Sequence, residues 1–276
     1  MIRAALVLSL LAAPALAEPA RVVALGGTVA EIAAALGAAD LLVARDSTTS
    51  FPASLTALPD VGYVRALSPE GVLSMNPDLI LAEAGAGPVE TVEVLKASGV
   101  DYITVPDSFA PDGIAQKITV IGAALGRETQ AETLSAQVTT GLAEARSAAD
   151  AVAEKKRVLF ILSLQGGRVM AGGEGSSAEA IIALAGGVNA ATGFQGYKPM
   201  TDEAILAAAP DAILMMDREG DMAISDADVL ALPALAASPA AQSGAIIRMD
   251  GLKLLGFGPR TPEAAAELRA ALYPQG

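Results

Sequence analysis

The chain has 276 residues, 53% of them hydrophobic, which suits one large domain or two lobes of about 130 residues and is too apolar for a disordered protein. Lys and Arg total 18 against 31 Asp and Glu, a net charge of −13, so a phosphate backbone or an anionic lipid surface repels it and no nucleic-acid partner is expected. Histidine and cysteine are both at zero, which removes thiolate and imidazole metal sites and nucleophilic triads.

Arg3, an apolar run from Ala4 to Ala13, and the triplet Ala15-Leu16-Ala17 before Glu18 and Pro19 read as a secretory leader cleaved after Ala17. The run is shorter than the roughly 20 residues a spanning helix needs, and no cysteine follows to carry a lipid tether. Free diffusion in the periplasm is the expectation.

Arg21 to Leu25 reads as a buried strand, and Thr28 to Leu36 as a helix opened by a Thr28/Glu31 capping box and closed by Gly37. Short apolar runs at Leu41 to Ala44, Leu79 to Ala82 and Tyr102 to Val105 alternate with helical patterns at Pro69 to Met75 and Val89 to Ala97. Such alternation predicts a parallel sheet covered on both faces. From Pro111 to Lys156 helix formers dominate, and Glu128 to Lys155 is long enough for one helix of about 40 Å. Strands then resume at Val158 to Leu162, Ala212 to Met216 and Ala245 to Met249. The fold class expected is α/β, with two Rossmann-like parallel-sheet lobes joined by one long α-helix and a ligand cleft between them. Its divisions are a leader at 1–17, a first lobe at 18–126, a linking helix at 127–156 and a second lobe at 157–276.

The halves echo each other. Gly62-Tyr63 is matched by Gly196-Tyr197. Ser68-Pro-Glu70, leading to Pro77-Asp78 and a strand, is matched by Thr201-Asp-Glu203, leading to Pro210-Asp211 and a strand.

The phrases Val22-Val-Ala-Leu-Gly-Gly-Thr-Val-Ala-Glu31, Gly62-Tyr63-Val-Arg65-Ala-Leu-Ser-Pro-Glu70, Gly193-Phe-Gln-Gly-Tyr197-Lys198-Pro and Leu255-Gly-Phe-Gly-Pro-Arg260-Thr-Pro-Glu263 carry a resemblance. Together they resemble the periplasmic substrate-binding proteins of bacterial haem ABC importers, within the helix-linked group that also serves cobalamin and ferric siderophores. The likeness spans the whole chain after the leader, and the Gly-Tyr-Val-Arg phrase is the part that points to haem.

The resemblance implies that Tyr63 is the axial ligand to ferric haem, haem b being the transported cargo. A phenolate is a hard oxygen donor suited to iron(III), and it needs help to ionise because free Tyr stays protonated below about pH 10. In an extended segment residues i and i+2 share a side, so Arg65 is expected beside the phenolate. With no histidine, five-coordinate haem is expected, and Tyr197 is the conceivable second-lobe ligand. Arg65, Lys198 and Arg260, with Lys253 nearby, are candidates for the two propionates. Glu70 and Glu203 are candidates for docking on arginines of an inner-membrane permease dimer. An outer-membrane haem receptor upstream, a monomeric state and no enzymatic activity complete the implied picture. Methionines within apolar runs read as core. Two other readings stand beside it: cobalamin or a ferric siderophore on the same fold, and, remotely, a secreted hydrolase using carboxylates such as Glu31, Glu70 or Glu83.

Overall fold

A computed structural model describes residues 19–165, 167–218 and 223–274; the expected leader and its cleavage point lie outside these. The first lobe contains β1 (Val22–Leu25), α1 (Gly27–Ala35), β2 (Leu42–Arg45), α2 (Pro69–Leu73), β3 (Leu79–Glu83), α3 (Val89–Ala97), β4 (Asp101–Val105) and α4 (Pro111–Ala124). Its sheet runs β2-β1-β3-β4 with every pairing parallel. Every residue of β1 is buried, as its unbroken apolar run requires of a central parallel strand covered on both faces.

The lobes are joined by α5 (Glu128–Asp150), whose 23 residues span about 34 Å. It buries Ala131, Val138, Leu142, Ala145 and Ala149, one face of a 3.6-residue period. The helix stops short of Lys155 because Val152 packs against Gly186 and the chain turns into the next strand. Gly141 permits a close helix crossing, since a Cβ there would lie 2.9 Å from Pro262 of the second lobe.

The second lobe contains β5 (Arg157–Gln165), β6 (Arg168–Gly172), α6 (Ser177–Leu184), β7 (Val188–Asn189), β8 (Tyr197–Met200), α7 (Asp202–Ala208), β9 (Ala212–Asp217), α8 (Asp226–Leu230), α9 (Pro233–Ala236), α10 (Pro239–Ser243), β10 (Ile246–Asp250), α11 (Gly251–Leu255) and α12 (Thr261–Leu272). Strand order is β10-β9-β5-β6-β8, with β7 on β5. Its β10, β9, β5 and β7 are parallel, as expected for a second α/β lobe, whereas β6 and β8 extend the sheet antiparallel.

One apolar cluster runs through both lobes and includes Val22, Ile118, Leu142, Phe160 and Leu268. Met200, Met215 and Met249 are buried, as core methionines should be.

The capping box expected at α1 does not form. The helix starts at Gly27 with Gly26 as N-cap and no side-chain cap. The Thr28 hydroxyl instead donates to the Gly256 carbonyl at 2.9 Å, and Glu31 pairs with Arg260. Both partners belong to the second lobe, and a two-pronged guanidinium bond outcompetes a single backbone N–H.

Candidate ligand cleft

The carboxyl ends of β1 to β4 face the second lobe, and a crevice at such strand ends is where open α/β sheets hold ligands. The loop carrying Tyr63 is pinned there by backbone bonds: Ser47 N to Gly62 O at 3.0 Å, Gly87 N to Val64 O at 2.9 Å and Ala66 N to Tyr63 O at 2.7 Å. The Gly62 N–H donates to Asp60 at 2.8 Å and the Val64 N–H to Asp46 at 3.3 Å.

These bonds make residues 63–66 a tight turn, so the extended geometry expected for Tyr63 and Arg65 is replaced. Val64 is 1% exposed and the chain bends to bury it. Tyr63 and Arg65 are both exposed, and Tyr63 retains 47% of its surface. Neither side chain makes a hydrogen bond or ion pair among the described residues.

Glu83 ends β3 and was not singled out as a binding residue from sequence. Its carboxyl packs on Gly26, whose φ of 117° and lack of Cβ are both needed: a Cβ would fall 2.5 Å from Glu83 Oε2. Burial pushes the Glu83 pKa up to about 7, with Asp107 and Asp46 adding to the rise and Arg65 and Lys117 opposing it. Lys117 of α4 is itself buried, bonded to Asp107 at 2.9 Å and to the carbonyls of Gly256 and Phe257 at 3.4 Å. No motif marked Lys117, because its partners lie in a loop and in the other lobe.

Across the cleft, Tyr197 of β8 lies edge-on to Phe160, with ring centroids 6.2 Å apart. Its hydroxyl is 2.8 Å from Ser177 Oγ at the start of α6. Burial raises the Tyr197 pKa, while the bonds to Ser177 and Ala178 and the charge of Arg65 lower it and Asp107 raises it further. The field of Arg65 therefore reaches both Glu83 and Tyr197.

The remaining candidates are dispersed. Lys198 is exposed and, one strand position from Tyr197, projects to the opposite face. Lys253 bonds Glu263 at 2.6 Å and Glu267 at 2.5 Å. Arg260 grips Glu31 and lies 3.9 Å from the Phe51 ring centroid, with Asp250 at 3.8 Å.

Glu70 and Glu203 are exposed at matching positions, the second residues of α2 and α7. Each follows a hydroxyl N-cap, Ser68 accepting from Gly71 N at 3.0 Å and Thr201 from Ala204 N at 3.2 Å. The Glu203 carboxyl is held below its usual range by its own backbone N–H and the Thr201 hydroxyl.

A separate depression of about 530 Å³ between α1 and α5, lined by Ala35, Thr129, Thr133, Leu134 and Gln137, has no charged group and lies away from the cleft. Among the described residues no group of three or more Asp and Glu is arranged to hold a bare metal ion, and no helix is long and apolar enough to cross a membrane.

Two α/β lobes braced by one helix, with polar side chains converging at the strand ends between them, define a ligand-binding protein. Residues 22–251 match the periplasmic binding protein family, and the chain belongs to it. Among solved structures, it is 39% identical to the periplasmic heme-binding protein BhuT, solved in complex with two hemes, with a TM-score of 0.86 over 91% of this chain and 97% of that one. It is 37% identical to the periplasmic heme-binding protein RhuT from Roseiflexus sp. RS-1 in apo form, with a TM-score of 0.88 over 92% and 97%. The vitamin B12-binding protein BtuF of Vibrio cholerae, 22% identical with a TM-score of 0.77 over 92% and 97%, shares the fold. The protein is thus an exported binding protein of a kind that hands a ligand to an ABC transporter permease.

Proposed function

We propose that the protein binds haem in the cleft between its lobes and delivers it unchanged to an inner-membrane ABC importer. The observation that carries this reading is the turn at residues 63–66, which presents an exposed phenol and, two residues on, an exposed guanidinium, neither hydrogen-bonded nor ion-paired among the described residues. In a chain without histidine or cysteine, a phenolate is the natural donor to ferric iron. Arg65 supplies positive charge for that phenolate or for a propionate; Lys198, which projects to the face opposite Tyr197, is set aside. Arg260 enters the reading as a lobe-to-lobe contact, because its fork is already engaged by Glu31. The Tyr197 hydroxyl is engaged at α6, which favours five-coordinate iron. Glu70 and Glu203, matched in position and exposed, suit docking on a dimeric permease. The likeness to BhuT and RhuT supports haem over cobalamin, since the B12-binding neighbour shares the fold alone.

Titration of the mature protein with hemin should develop a Soret band and a phenolate-to-iron charge-transfer band. Tyr63→Ala should remove the latter and weaken binding sharply. An unchanged spectrum in Tyr63→Ala, or a protein indifferent to hemin and titrated by cobalamin, would overturn the reading.

A further inference from the structure

The turn Asp46-Ser-Thr-Thr-Ser50 follows β2 and has the composition of an ordinary polar loop. At its head, Asp46 is 0% exposed. Its carboxylate accepts from Gly26 N at 3.1 Å, Thr48 N at 3.1 Å, Thr48 Oγ1 at 2.8 Å, Thr49 Oγ1 at 3.3 Å and Val64 N at 3.3 Å. The Thr48 hydroxyl in turn accepts from Gly27 N at 2.8 Å. A buried carboxylate surrounded by N–H and O–H donors is both stabilised and held in orientation.

We propose that Asp46 is a positioning residue of the ligand site, fixing the backbone between Tyr63 and Arg65 against the start of α1. The inference rests on Tyr63 and Arg65 being the ligand-binding pair. Val64 lies between them with its N–H on Asp46, its carbonyl on Gly87 and its side chain buried, so the directions of both neighbours follow from one clamped residue. The other end of the network, Gly26 and Gly27, opens α1, which carries the Thr28 and Glu31 contacts to the second lobe. Asp46 therefore registers the donor loop against the opposite wall of the cleft.

The chemistry requires a carboxylate. Oδ1 receives Gly26 N and Oδ2 receives Thr48 N and Val64 N, so an amide in either orientation directs an NH2 group at a backbone donor.

The test uses hemin complexes of the whole mature chain, read by affinity, by the charge-transfer band and by thermal melting. Asp46→Asn should lower hemin affinity about tenfold or more, from loss of charge-assisted bonds, and should shift or broaden the band while the protein is folded. Thr48→Val, which keeps the carboxylate and its Val64 bond, should move both in the same direction by less. Leu125→Ala, a core change remote from the cleft, should lower the melting temperature and leave both unchanged. A folded Asp46→Asn with wild-type affinity and band would overturn the proposal, as would a Leu125→Ala that alters the band equally. If Asp46→Asn fails to fold, Thr48→Val decides, and a wild-type band in it is the overturning result. Tyr63→Phe tests the underlying reading separately: retention of the band there removes Tyr63 as donor, whatever Asp46→Asn does.

Discussion

Arg260 of the second lobe holds Glu31 of the first by two parallel hydrogen bonds, Nε to Oε1 at 3.0 Å and Nη2 to Oε2 at 2.9 Å. The side chains are only 18% and 5% exposed, so the pair works in a drier setting than a surface ion pair. Arg260→Ala strands a buried carboxylate and should destabilise the protein by about 3–5 kcal/mol in urea denaturation. Arg260→Lys should recover part of this, lacking the fork and the planar face that rests on Phe51. A loss below about 1 kcal/mol in Arg260→Ala would class the contact with exposed pairs.

Glu83 gives stability a definite pH dependence. Its carboxyl, pushed up to about 7 by burial, has an ordinary value of 4.5. Below 4.5 both folded and unfolded chains hold the proton and the group contributes nothing; between the two values only the folded chain holds it; above 7 both are ionised and the folded chain carries a poorly solvated charge. Stability therefore falls as pH rises through this window, by about 3 kcal/mol at most. Glu83→Gln fits the same space and removes the effect. Its advantage in urea midpoint should grow from pH 5 to pH 8, and a constant difference between the two proteins would contradict the assignment.

Tyr197→Phe removes a hydroxyl bonded at the start of α6 and leaves the ring against Phe160. It should cost about 1 kcal/mol of stability and leave the charge-transfer band of the hemin complex in place. Disappearance of that band would make Tyr197 the iron donor.

Reversing Glu70 and Glu203 together to Lys should leave the Soret titration intact and abolish ATP-driven haem uptake into reconstituted vesicles. Each surface contact is weak alone, but two engaged at once fix orientation and gain through effective concentration. Normal uptake by the double variant would reduce both to acids favoured at helix starts.

The first lobe was legible because β1 and β3 are short apolar runs bounded by polar turns, and the long helix because only Gly141 interrupts its formers. Strands β6 and β8 were not. Arg168–Gly172 opens on a charged residue and closes on glycine, and Tyr197–Met200 contains Pro199, which a sheet tolerates at an edge and a sequence pattern counts against a strand. The site was legible as residue types and less so as partnerships. Glu31 looked like a capping acid because its local partner was visible, whereas Arg260 lies 229 residues away. Asp46 lies in a plain polar turn, and its role was hidden for the same reason: two of its donors, Gly26 and Val64, belong to other segments. Glu83 stood out only as one carboxylate among several, because its shifted proton affinity comes from burial and from charges assembled by the fold.

The apolar cluster that begins at Val22, passes through Leu142 of α5 and ends on Leu272 of α12 is shared by both lobes, beside a smaller cluster confined to each. Heat should consequently dissolve both in one transition, with calorimetric and van't Hoff enthalpies in agreement. A chain severed within α5 would yield two halves that each display an apolar face built to be covered, and such halves should recover their solubility only when refolded together.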